Sequence, residues 1–372
     1  MCIYFKYVFS TILLYAFFTT MVISEVIEQM KLMNPLFKNT FKEIIFCGSF
    51  YKGTKVGHPN EFDLNIVMEL PVIVNQIIYN ATQAAYVQIK VEDNLFLFDK
   101  KIYHDFPDKS KRLLKKFITK SLLNPDKFRE WIEGIISKVI SELSTCSCEE
   151  NNYFANIRLK KSGPAFTLII DIPEVYDIIY VDLAPVLAFN ISLFEGCLKK
   201  LDQLQEYRSK IWYAVPLPFK GTNERLFWRM SFCNQEKELL SKYGRMKPVI
   251  RQMKKLRDVQ NWKSIASYYI ETLFLNKLNE LSYNLNRIPL TLFFYMMLKE
   301  LYRACACHEI TFFWDETYNL LEKISMIEMV NISSLTRNEL TLLIDVFTSN
   351  IDNSSSEEDT ENLQQSWSCV VL

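Results

Sequence analysis

The stretch "GSFYKGTKVGHPNEFDLNIV", residues 48–67, contains three of the chain's eight glycines and ends in an apolar run that carries two acids. The run reads as a β-strand, on which successive side chains point to opposite faces. Alternation therefore puts Glu61 and Asp63 on one face, and Phe62 and Leu64 on the packed face. Two carboxylates about 4 Å apart repel by roughly 4 kcal/mol at an effective dielectric near 20. A fixed pair thus requires a proton, a basic side chain or a divalent cation.

Two further features favour phosphate chemistry at this strand. The Gly-Ser turn before it offers backbone N–H groups and the Ser49 hydroxyl to phosphate oxygens. A third acid, Asp182, is predicted to end another alternating strand in "IIYVDLAP". Three acids beside such a turn are typical of phosphoryl transfer with two metal ions. The alternative is a solvated strand face that binds nothing.

Composition excludes several classes of protein. The 372 residues are 49% apolar and 14% aromatic with few Gly and Pro, which excludes a disordered or fibrous chain and fits one large or two coupled domains. The 43 basic residues balance 43 acidic ones, so any nucleic-acid binding must come from local clusters. Nine irregularly spaced cysteines favour a reducing compartment. Cys146-x-Cys148 and Cys305-x-Cys307 lack zinc-site spacing, so no zinc is expected.

The two ends of the chain differ in composition, since the first is apolar and the last is acidic and rich in Ser. Residues 1–21 form an apolar extension with three open alternatives: a membrane anchor, a buried N-terminal helix, or a segment upstream of initiation at Met21. The acidic, Ser-rich tail of residues 349–372 lacks the apolar content to fold. It ends in "SCVVL", in which Cys369 fits a prenylation motif whose final Leu favours geranylgeranyl. We expect a cytoplasmic protein, with membrane association through this lipid as an alternative.

Between these ends the pattern changes several times. Strands dominate residues 41–102, long basic helices are predicted over 108–144, and strands return before residue 190. From about residue 224 the pattern is nearly all helical. We therefore divide the chain into a core at 22–223 and a helical lobe at 224–348.

Several blocks together resemble one family. The blocks are "GSFYKGTKVGHPNEFDLN", "SGPAFTL", "VDLAPVL", "WRMSFCNQEKELL", "IRQMKKLRD" and "IASYYIETL". In order and spacing they are similar to those of cyclic GMP-AMP synthase-like receptors. These are innate-immune nucleotidyltransferases of animals, related to the Mab developmental proteins. The resemblance implies an α+β, bilobal nucleotidyltransferase fold. Its mixed β-sheet catalytic lobe, with long N-terminal helices, would pack against an all-helical C-terminal lobe.

The resemblance also implies which residues form the site. Glu61, Asp63 and Asp182 would be catalytic and would bind two Mg²⁺, with Mn²⁺ as an alternative. The residues implied in ATP binding are Ser49, Glu61, Asp63, Cys233, Glu236, Lys254, Ser267, Tyr268 and Glu271. Those implied in GTP binding are Asp182, Arg229, Ser231, Cys233 and Glu236. Two positions depart from the family, since Cys233 stands where a serine is common and Glu271 where a lysine is often found.

The spacing adds two expectations for the helical lobe. Arg229, Cys233 and Glu236 fall at i, i+4 and i+7 and are predicted to share one helix face. Arg251 lies one turn from Lys254, where it could offset the acid at Glu271.

The resemblance suggests an activating ligand as well. Vertebrate relatives carry a zinc ribbon after the "SFS..E" helix, whereas "SKYGRMKPVIRQ" runs straight on here. This departure resembles the insect-type receptors, for which double-stranded RNA is the implied ligand. The predicted RNA-binding residues, on one basic helix, are Lys109, Lys111, Arg112, Lys115, Lys116 and Lys120. Arg158, Lys160 and Lys161 precede Gly163 nearby. A solvated helix face is the alternative.

Two functions from different classes follow. The first is an RNA-sensing enzyme of antiviral innate immunity that joins ATP and GTP into a cyclic dinucleotide of the cyclic GMP-AMP type, with a ligand-induced dimer as a further expectation. The second is a non-catalytic Mab-type scaffold that keeps the fold. The clustered acids favour the first, because a scaffold has no physical need for them.

Overall fold

The computed structural model describes these residues of the chain: 2–79, 85–91, 106–143, 145–148, 153–162, 165–173, 177–194, 207–216, 226–281 and 285–353. The predicted lipidation residue, Cys369, lies outside them. The chain divides into two compact units. Unit 1 comprises Met1–Lys247 and Trp314–Tyr318, and unit 2 comprises Pro248–Phe313 and Asn319–Leu372.

Two helices open unit 1, α1 at Cys2–Met33 and α2 at Pro35–Thr40. Residue Asn34 separates them, and its side chain accepts a hydrogen bond from the Phe37 N–H at 3.0 Å, which caps α2. The described side chains of α1 that are buried fall at helical spacing: Tyr15, Phe18, Thr19, Val22, Ile23, Val26, Ile27 and Met30. The N-terminal helices that the sequence predicts are therefore present, and α1 packs along one stripe.

Part of α1 could also cross a membrane, judged by length and composition alone. Among the described residues, Leu13–Met33 is the one helical segment that meets this test, with a mean hydropathy of 1.2. Of its most apolar window, 44% is buried within the protein. Core helices and signal sequences pass the same test, so the segment does not decide between the alternatives for residues 1–21.

Twelve strands of unit 1 join one mixed sheet. Their bounds are β1 Phe41–Cys47, β2 Glu61–Met68, β3 Val74–Tyr79, β4 Tyr86–Val91, β5 Ile118–Thr119, β6 Leu122–Leu123, β7 Thr145–Cys148, β8 Tyr153–Ser162, β9 Ala165–Ile172, β10 Asp177–Asn190, β11 Ile211–Val215 and β12 Trp228–Ser231. Along most of the sheet the order is β5-β6-β4-β12-β11-β10-β9-β8-β7, while β1 pairs with β2 and β3 with β4. The mixed sheet of the predicted α+β class is thereby confirmed.

Strand β10 is the one on which the site-bearing strands converge. It pairs antiparallel with β9 over Asp177–Leu183, parallel with β2 over Tyr180–Leu187 and antiparallel with β11 over Leu187–Asn190. The prediction that Asp182 ends this strand is wrong, because β10 continues to Asn190. Buried Leu183, Val186 and Leu187 extend its core-facing run beyond the acid.

In its described residues, unit 1 contains four more helices: α3 Gly48–Lys52, α4 Asp108–Lys116, α5 Pro125–Glu142 and α6 Cys233–Lys242. The long helical run expected over 108–144 is interrupted between α4 and α5 by the hairpin of β5 and β6. Lys120 and Ser121 have positive φ angles of 50° and 62°, which a right-handed helix does not accept. Asn124 then caps α5 by accepting from the Lys127 N–H at 3.1 Å.

Two predictions change with these boundaries. Lys120 lies in the hairpin turn and is not on the same helix as the other predicted RNA-binding residues. Arg229 lies on β12, so it does not share a helix face with Cys233 and Glu236. Strand β12 forms because it pairs with β11 and β4, and because its Trp228 side chain is buried and donates from Nε1 to the Leu123 carbonyl at 3.0 Å.

Unit 2 is mainly helical. Its helices are α7 Met246–Val259, which begins at the end of unit 1, α8 Ser267–Asn276, α9 Leu278–Leu281, α10 Leu290–Cys307 and α11 Met326–Asn353. Two short strands occur between α10 and α11: β13 Thr311–Phe312 in unit 2, and β14 Asp315–Asn319, most of which belongs to unit 1. The predicted helical C-terminal lobe is confirmed. Helix α11 extends past residue 349, where the tail was predicted to begin.

Candidate active site

The three predicted acids lie on two neighbouring strands. Strands β2 and β10 are parallel, with Asp63 opposite Asp182 and Glu61 opposite Tyr180. Side chains in register on neighbouring strands share a face, and such strands lie about 4.8 Å apart. The side chains of Glu61 and Asp63 are exposed and that of Asp182 is half-buried, while the intervening Phe62 is 1% exposed. The alternation predicted from the sequence is present, and the register adds Asp182 to the acidic face.

Like charges and burial act together on Asp63. Although part of its side chain reaches solvent, desolvation by the surrounding protein raises the pKa of its carboxyl group, and the charge of Asp182 raises it further. The charges of Lys55 and Lys52 act in the opposite direction, and that of Glu61 raises the pKa again. Two charges about 5 Å apart repel by roughly 3 kcal/mol at an effective dielectric of 20. The negative charge of Asp63 and Asp182 is therefore only partly compensated by the basic side chains of the protein.

Two side chains that the sequence did not indicate contact the acids. The Lys55 ammonium forms an ion pair with Glu61 at the exposed end of the cluster. Thr167 on β9 lies opposite Asp182 on β10, and its hydroxyl donates to Asp182 Oδ1 at 2.5 Å. Thr167 thus fixes one oxygen of Asp182, and Lys55 provides the nearest positive charge.

Three carboxylates fit a hard divalent cation, because Mg²⁺ prefers oxygen ligands and uncompensated negative charge favours it. In the part of the chain that the structure describes, no group of three or more His, Cys, Asp and Glu is arranged tightly enough to hold a metal ion as it stands. Glu61 is already paired with Lys55, so this carboxylate would have to exchange its lysine partner to bind an ion.

The turn before β2 packs directly against the acids. Cys47, the last residue of β1, pairs with Asp63, and Gly48 follows with φ of +70°. A Cβ atom added to Gly48 would lie 1.7 Å from Asp63 Oδ2, so only glycine lets the backbone pass there. Ser49 comes next and is half-buried at the start of the short helix α3. The predicted phosphate-binding turn therefore lies beside the predicted metal ligands.

A buried ion pair joins α3 to α6. Lys52 Nζ lies 2.9 Å from Glu236 Oε2, and Trp314 Nε1 donates to Glu236 Oε1 at 3.0 Å. All three side chains are buried. Both oxygens of Glu236 therefore have partners inside unit 1, and the residue holds α3 in place. Its predicted nucleotide contact stays a prediction.

The other predicted site residues of unit 1 lie where β12 ends and α6 begins. Arg229 is exposed on β12, while Ser231 and Cys233 are half-buried. Cys233 is the first residue of α6, and its Sγ lies 3.3 Å from the Cys47 Sγ. The junction thereby touches the end of β1, one residue before Gly48.

The remaining predicted ATP-binding residues lie in unit 2. Lys254 on α7 and Glu271 on α8 are 2% and 4% exposed, and the Lys254 Nζ lies 2.6 Å from the Glu271 Oε1. The acid that departs from the family pattern is thus neutralised by the lysine predicted to reach phosphate. Ser267 accepts a hydrogen bond from Arg257 at 2.7 Å, and Tyr268 packs near Phe312 with ring centroids 6.2 Å apart.

Comparison with known proteins assigns the two regions of the chain. Residues 50–242 match the Mab-21 protein nucleotidyltransferase domain, and residues 245–337 match the Mab-21 protein HhH/H2TH-like domain. The chain belongs to the Mab-21 nucleotidyltransferase family. The family resemblance seen in the sequence is confirmed, and the acids on β2 and β10 are those of a nucleotidyltransferase domain.

Several curated relatives carry the name cyclic GMP-AMP synthase-like receptor. The protein from Microplitis demolitor is 34% identical over 85% of this chain and 59% of its own length. Those from Aethina tumida and Nicrophorus vespilloides are 31% and 33% identical, over 89% and 82% of this chain and 82% and 80% of theirs. The chain thus spans about three fifths of the first of these relatives and about four fifths of the other two.

The residues around the site whose contacts sequence reasoning missed are Lys52, Lys55, Thr167 and Cys47. Lys52 and Lys55 lie within the opening stretch, yet a charged residue carries no signal that it is buried or which acid it meets. Thr167 lies in "SGPAFTL", and only the β9–β10 register shows its contact. A strand alignment of that segment against "YVDLAP" could have found it.

Replacing Gly48 by Ala is expected to destabilise the protein more than replacing Gly57 by Ala. Both glycines have positive φ, +70° and +82°, so each Ala costs about 1 kcal/mol for its left-handed backbone. Only the Cβ at position 48 would meet Asp63, and nothing in the described structure lies within 4 Å at position 57. We expect a further 1–3 kcal/mol, roughly, at Gly48 from overpacking. Urea denaturation measures the difference, and equal losses would contradict the close approach.

The buried pair of Lys254 and Glu271 predicts that removing one charge destabilises the protein more than removing both. Lys254→Met leaves the Glu271 carboxylate buried without its ammonium, which costs about 3–5 kcal/mol. The double variant Lys254→Met, Glu271→Leu removes both charges and is expected to recover most of that loss. Chemical denaturation of the single and double variants tests this. A double variant as unstable as the single one would show that the loss does not come from leaving the Glu271 carboxylate buried without its ammonium.

Proposed function

We propose that this nucleotidyltransferase joins ATP and GTP, in two steps with release of pyrophosphate, into a cyclic dinucleotide. The observation that carries the proposal is the register of β2 and β10, which puts Asp63 beside Asp182 and next to the Gly48 turn. Support comes from the relatives named as cyclic GMP-AMP synthase-like receptors. The chain spans only 59% of the length of the first of these relatives, so its substrates and product are part of the proposal.

In this proposal Glu61, Asp63 and Asp182 hold two Mg²⁺ or Mn²⁺ ions. Such ions, when bound, lower the pKa of an attacking ribose hydroxyl and neutralise charge on the triphosphate. The chain's own residues do the positioning. Ser49 and the backbone N–H groups of the turn bind phosphate oxygens, and Thr167 holds Asp182 in one orientation toward the acceptor nucleotide.

The residues proposed to contact nucleotides occur in each unit, and the two sets are described separately. In unit 1, Arg229 presents an exposed guanidinium, and Ser231 and Cys233 present a hydroxyl and a thiol at the β12–α6 junction. In unit 2, Ser267 and Tyr268 are half-buried at the start of α8, where a base could stack and hydrogen-bond. Lys254 and Glu271 stabilise that segment as a pair, and contact with phosphate by Lys254 would require the pair to open.

The alternative function is a non-catalytic scaffold. Asp63 argues against it, because desolvation and the charges of Asp182 and Glu61 destabilise its charged form, and the charges of Lys55 and Lys52 do not fully offset them. Proteins keep such destabilising groups where function needs them.

Activity of purified protein with ATP, GTP, Mg²⁺ or Mn²⁺ and duplex RNA tests the enzyme. Asp63→Asn is expected to lower formation of a cyclic dinucleotide by about 100-fold or more. The matched control is Glu69→Gln, which makes the same chemical change at an exposed acid paired with Lys42. Product is identified by mass spectrometry.

A stability measurement separates loss of catalysis from loss of folding. With a chelator present, Asp63→Asn is expected to raise Tm by a few degrees because it removes the repulsion from Asp182. Absence of any cyclic product from the wild-type protein with every ligand tried would favour the scaffold.

For the activating ligand we propose double-stranded RNA bound along α4. Lys109, Arg112, Lys115 and Lys116 are exposed on this nine-residue helix, and buried Leu114 fixes its inner face. The RNA duplex is recognised largely through shape and phosphate contacts, which suits a basic helix. Lys120, in the following hairpin turn, and Arg158 and Lys160, exposed on β8, are further proposed contacts. A ligand-induced dimer and a prenyl anchor at Cys369 are proposed on the sequence alone.

The RNA-binding surface predicts a salt-dependent loss. The double reversal Lys115→Glu, Lys116→Glu is expected to weaken duplex RNA binding and to lower the slope of log affinity against log salt by about 2 or more. The control is Lys38→Glu, Lys242→Glu, two exposed lysines of unit 1 outside α4. Fluorescence anisotropy over a salt series measures both. Unchanged binding by the α4 variant would remove this surface from the proposal.

A further inference from the structure

Two cysteine side chains meet beside the candidate active site. Cys47 ends β1 and Cys233 begins α6, and their Sγ atoms lie 3.3 Å apart although 186 residues separate them in the chain. Both are free thiols and both are half-buried. A disulfide has an S–S length of about 2.05 Å, so the sulfurs need approach by only about 1.3 Å. No role in nucleotidyl transfer requires Cys47.

The surroundings make the two thiols chemically unequal. The Cys47 S–H donates to the Cys233 sulfur, which lowers the pKa of Cys233, and Lys52 and Ser231 act in the same direction against burial and Glu236. The Asn65 amide also donates to the Cys233 sulfur, at 3.7 Å. The same sulfur contact raises the pKa of Cys47. Cys233 is therefore the more reactive thiolate and Cys47 the partner that follows.

We propose that Cys47 and Cys233 are a redox modification site that closes to a disulfide when a peroxide reaches it. The Cys233 thiolate attacks one oxygen of hydrogen peroxide, which breaks the O–O bond, gives a sulfenic acid and releases hydroxide. Cys47 then attacks the sulfenic sulfur, the S–S bond forms, and the sulfenic hydroxyl leaves as water. Overall two thiols and one peroxide give one disulfide and two waters. A dithiol reductant reverses the bond.

The bond would act on the turn that packs against Asp63. Cys47 precedes Gly48, whose backbone leaves no room for even a Cβ atom beside Asp63 Oδ2. Drawing Cys47 toward α6 therefore shifts the segment that carries Ser49 relative to Asp63. On the proposed function, the disulfide lowers nucleotidyl transfer, and this consequence rests on that function. Formation of the disulfide itself does not depend on it.

Peptide mapping tests the bond directly on the full wild-type chain. Protein treated with hydrogen peroxide is blocked with iodoacetamide, digested with trypsin without reduction and analysed by mass spectrometry. Cleavage after Lys42, Lys52, Arg229 and Lys237 gives the peptides 43–52 and 230–237, each with one cysteine. We expect these two peptides to be joined, with the loss of two hydrogen atoms, and to separate after dithiothreitol.

Cys305 and Cys307 are internal controls in the same digest. They lie two residues apart on α10, one buried and one exposed, so their side chains point in different directions. We expect both to remain unjoined to Cys47 and Cys233. Pairing of Cys233 with any other cysteine, or conversion of Cys233 to sulfinic acid without a link to Cys47, would overturn the proposal. So would full iodoacetamide labelling of both thiols after peroxide.

Activity gives the second readout. Each protein is compared with itself after dithiothreitol, so a changed starting activity does not matter. Peroxide is expected to lower product formation of the wild type several-fold and reversibly, and to leave Cys47→Ser at its reduced level. If the reduced wild type forms no product at all, the proposed function fails while the peptide map still decides the disulfide. Equal peroxide sensitivity of Cys47→Ser would overturn the effect on the turn.

Discussion

The parallel pairing of β2 with β10 is the constraint on which the site depends. It sets Asp63 beside Asp182, and the antiparallel partners β1 and β9 then bring the Gly48 turn and the Thr167 hydroxyl to the same place. A slip of this register by one residue would send every side chain of the slipped strand to the other face and bury an acid in the core. Buried Phe62 and Leu64 oppose such a slip, so hydrophobic packing holds the charges together.

The site combines destabilising and stabilising elements. Neighbouring acids repel, and a backbone passes close to one of them at Gly48. The buried pair of Lys52 and Glu236, with Trp314 on the second oxygen, holds α3 against α6 and thus keeps the turn in place. Separate residues therefore support the geometry and carry the charge. This division explains why a chain with balanced total charge can keep a locally acidic sheet face.

Local pattern was enough to predict the acidic face of β2, because strand alternation is a property of neighbouring residues, whereas the α+β class was implied by the family resemblance. It failed at β12, where aromatic residues beside a helix made the strand read as helix, and only pairing with β4 and β11 decides the matter. It failed again at Lys120, whose positive φ has no signal in a lysine. The partners Lys55 and Thr167 depend on contacts across the sheet, which a single sequence does not contain.

The buried contact of Lys254 with Glu271 bears on how this family diverges. Each charge is tolerated in the interior only because the other is present, so neither position can drift by itself without a heavy loss of stability. Wherever an aligned set of family sequences has an acid at the second position, it should therefore have a base at the first.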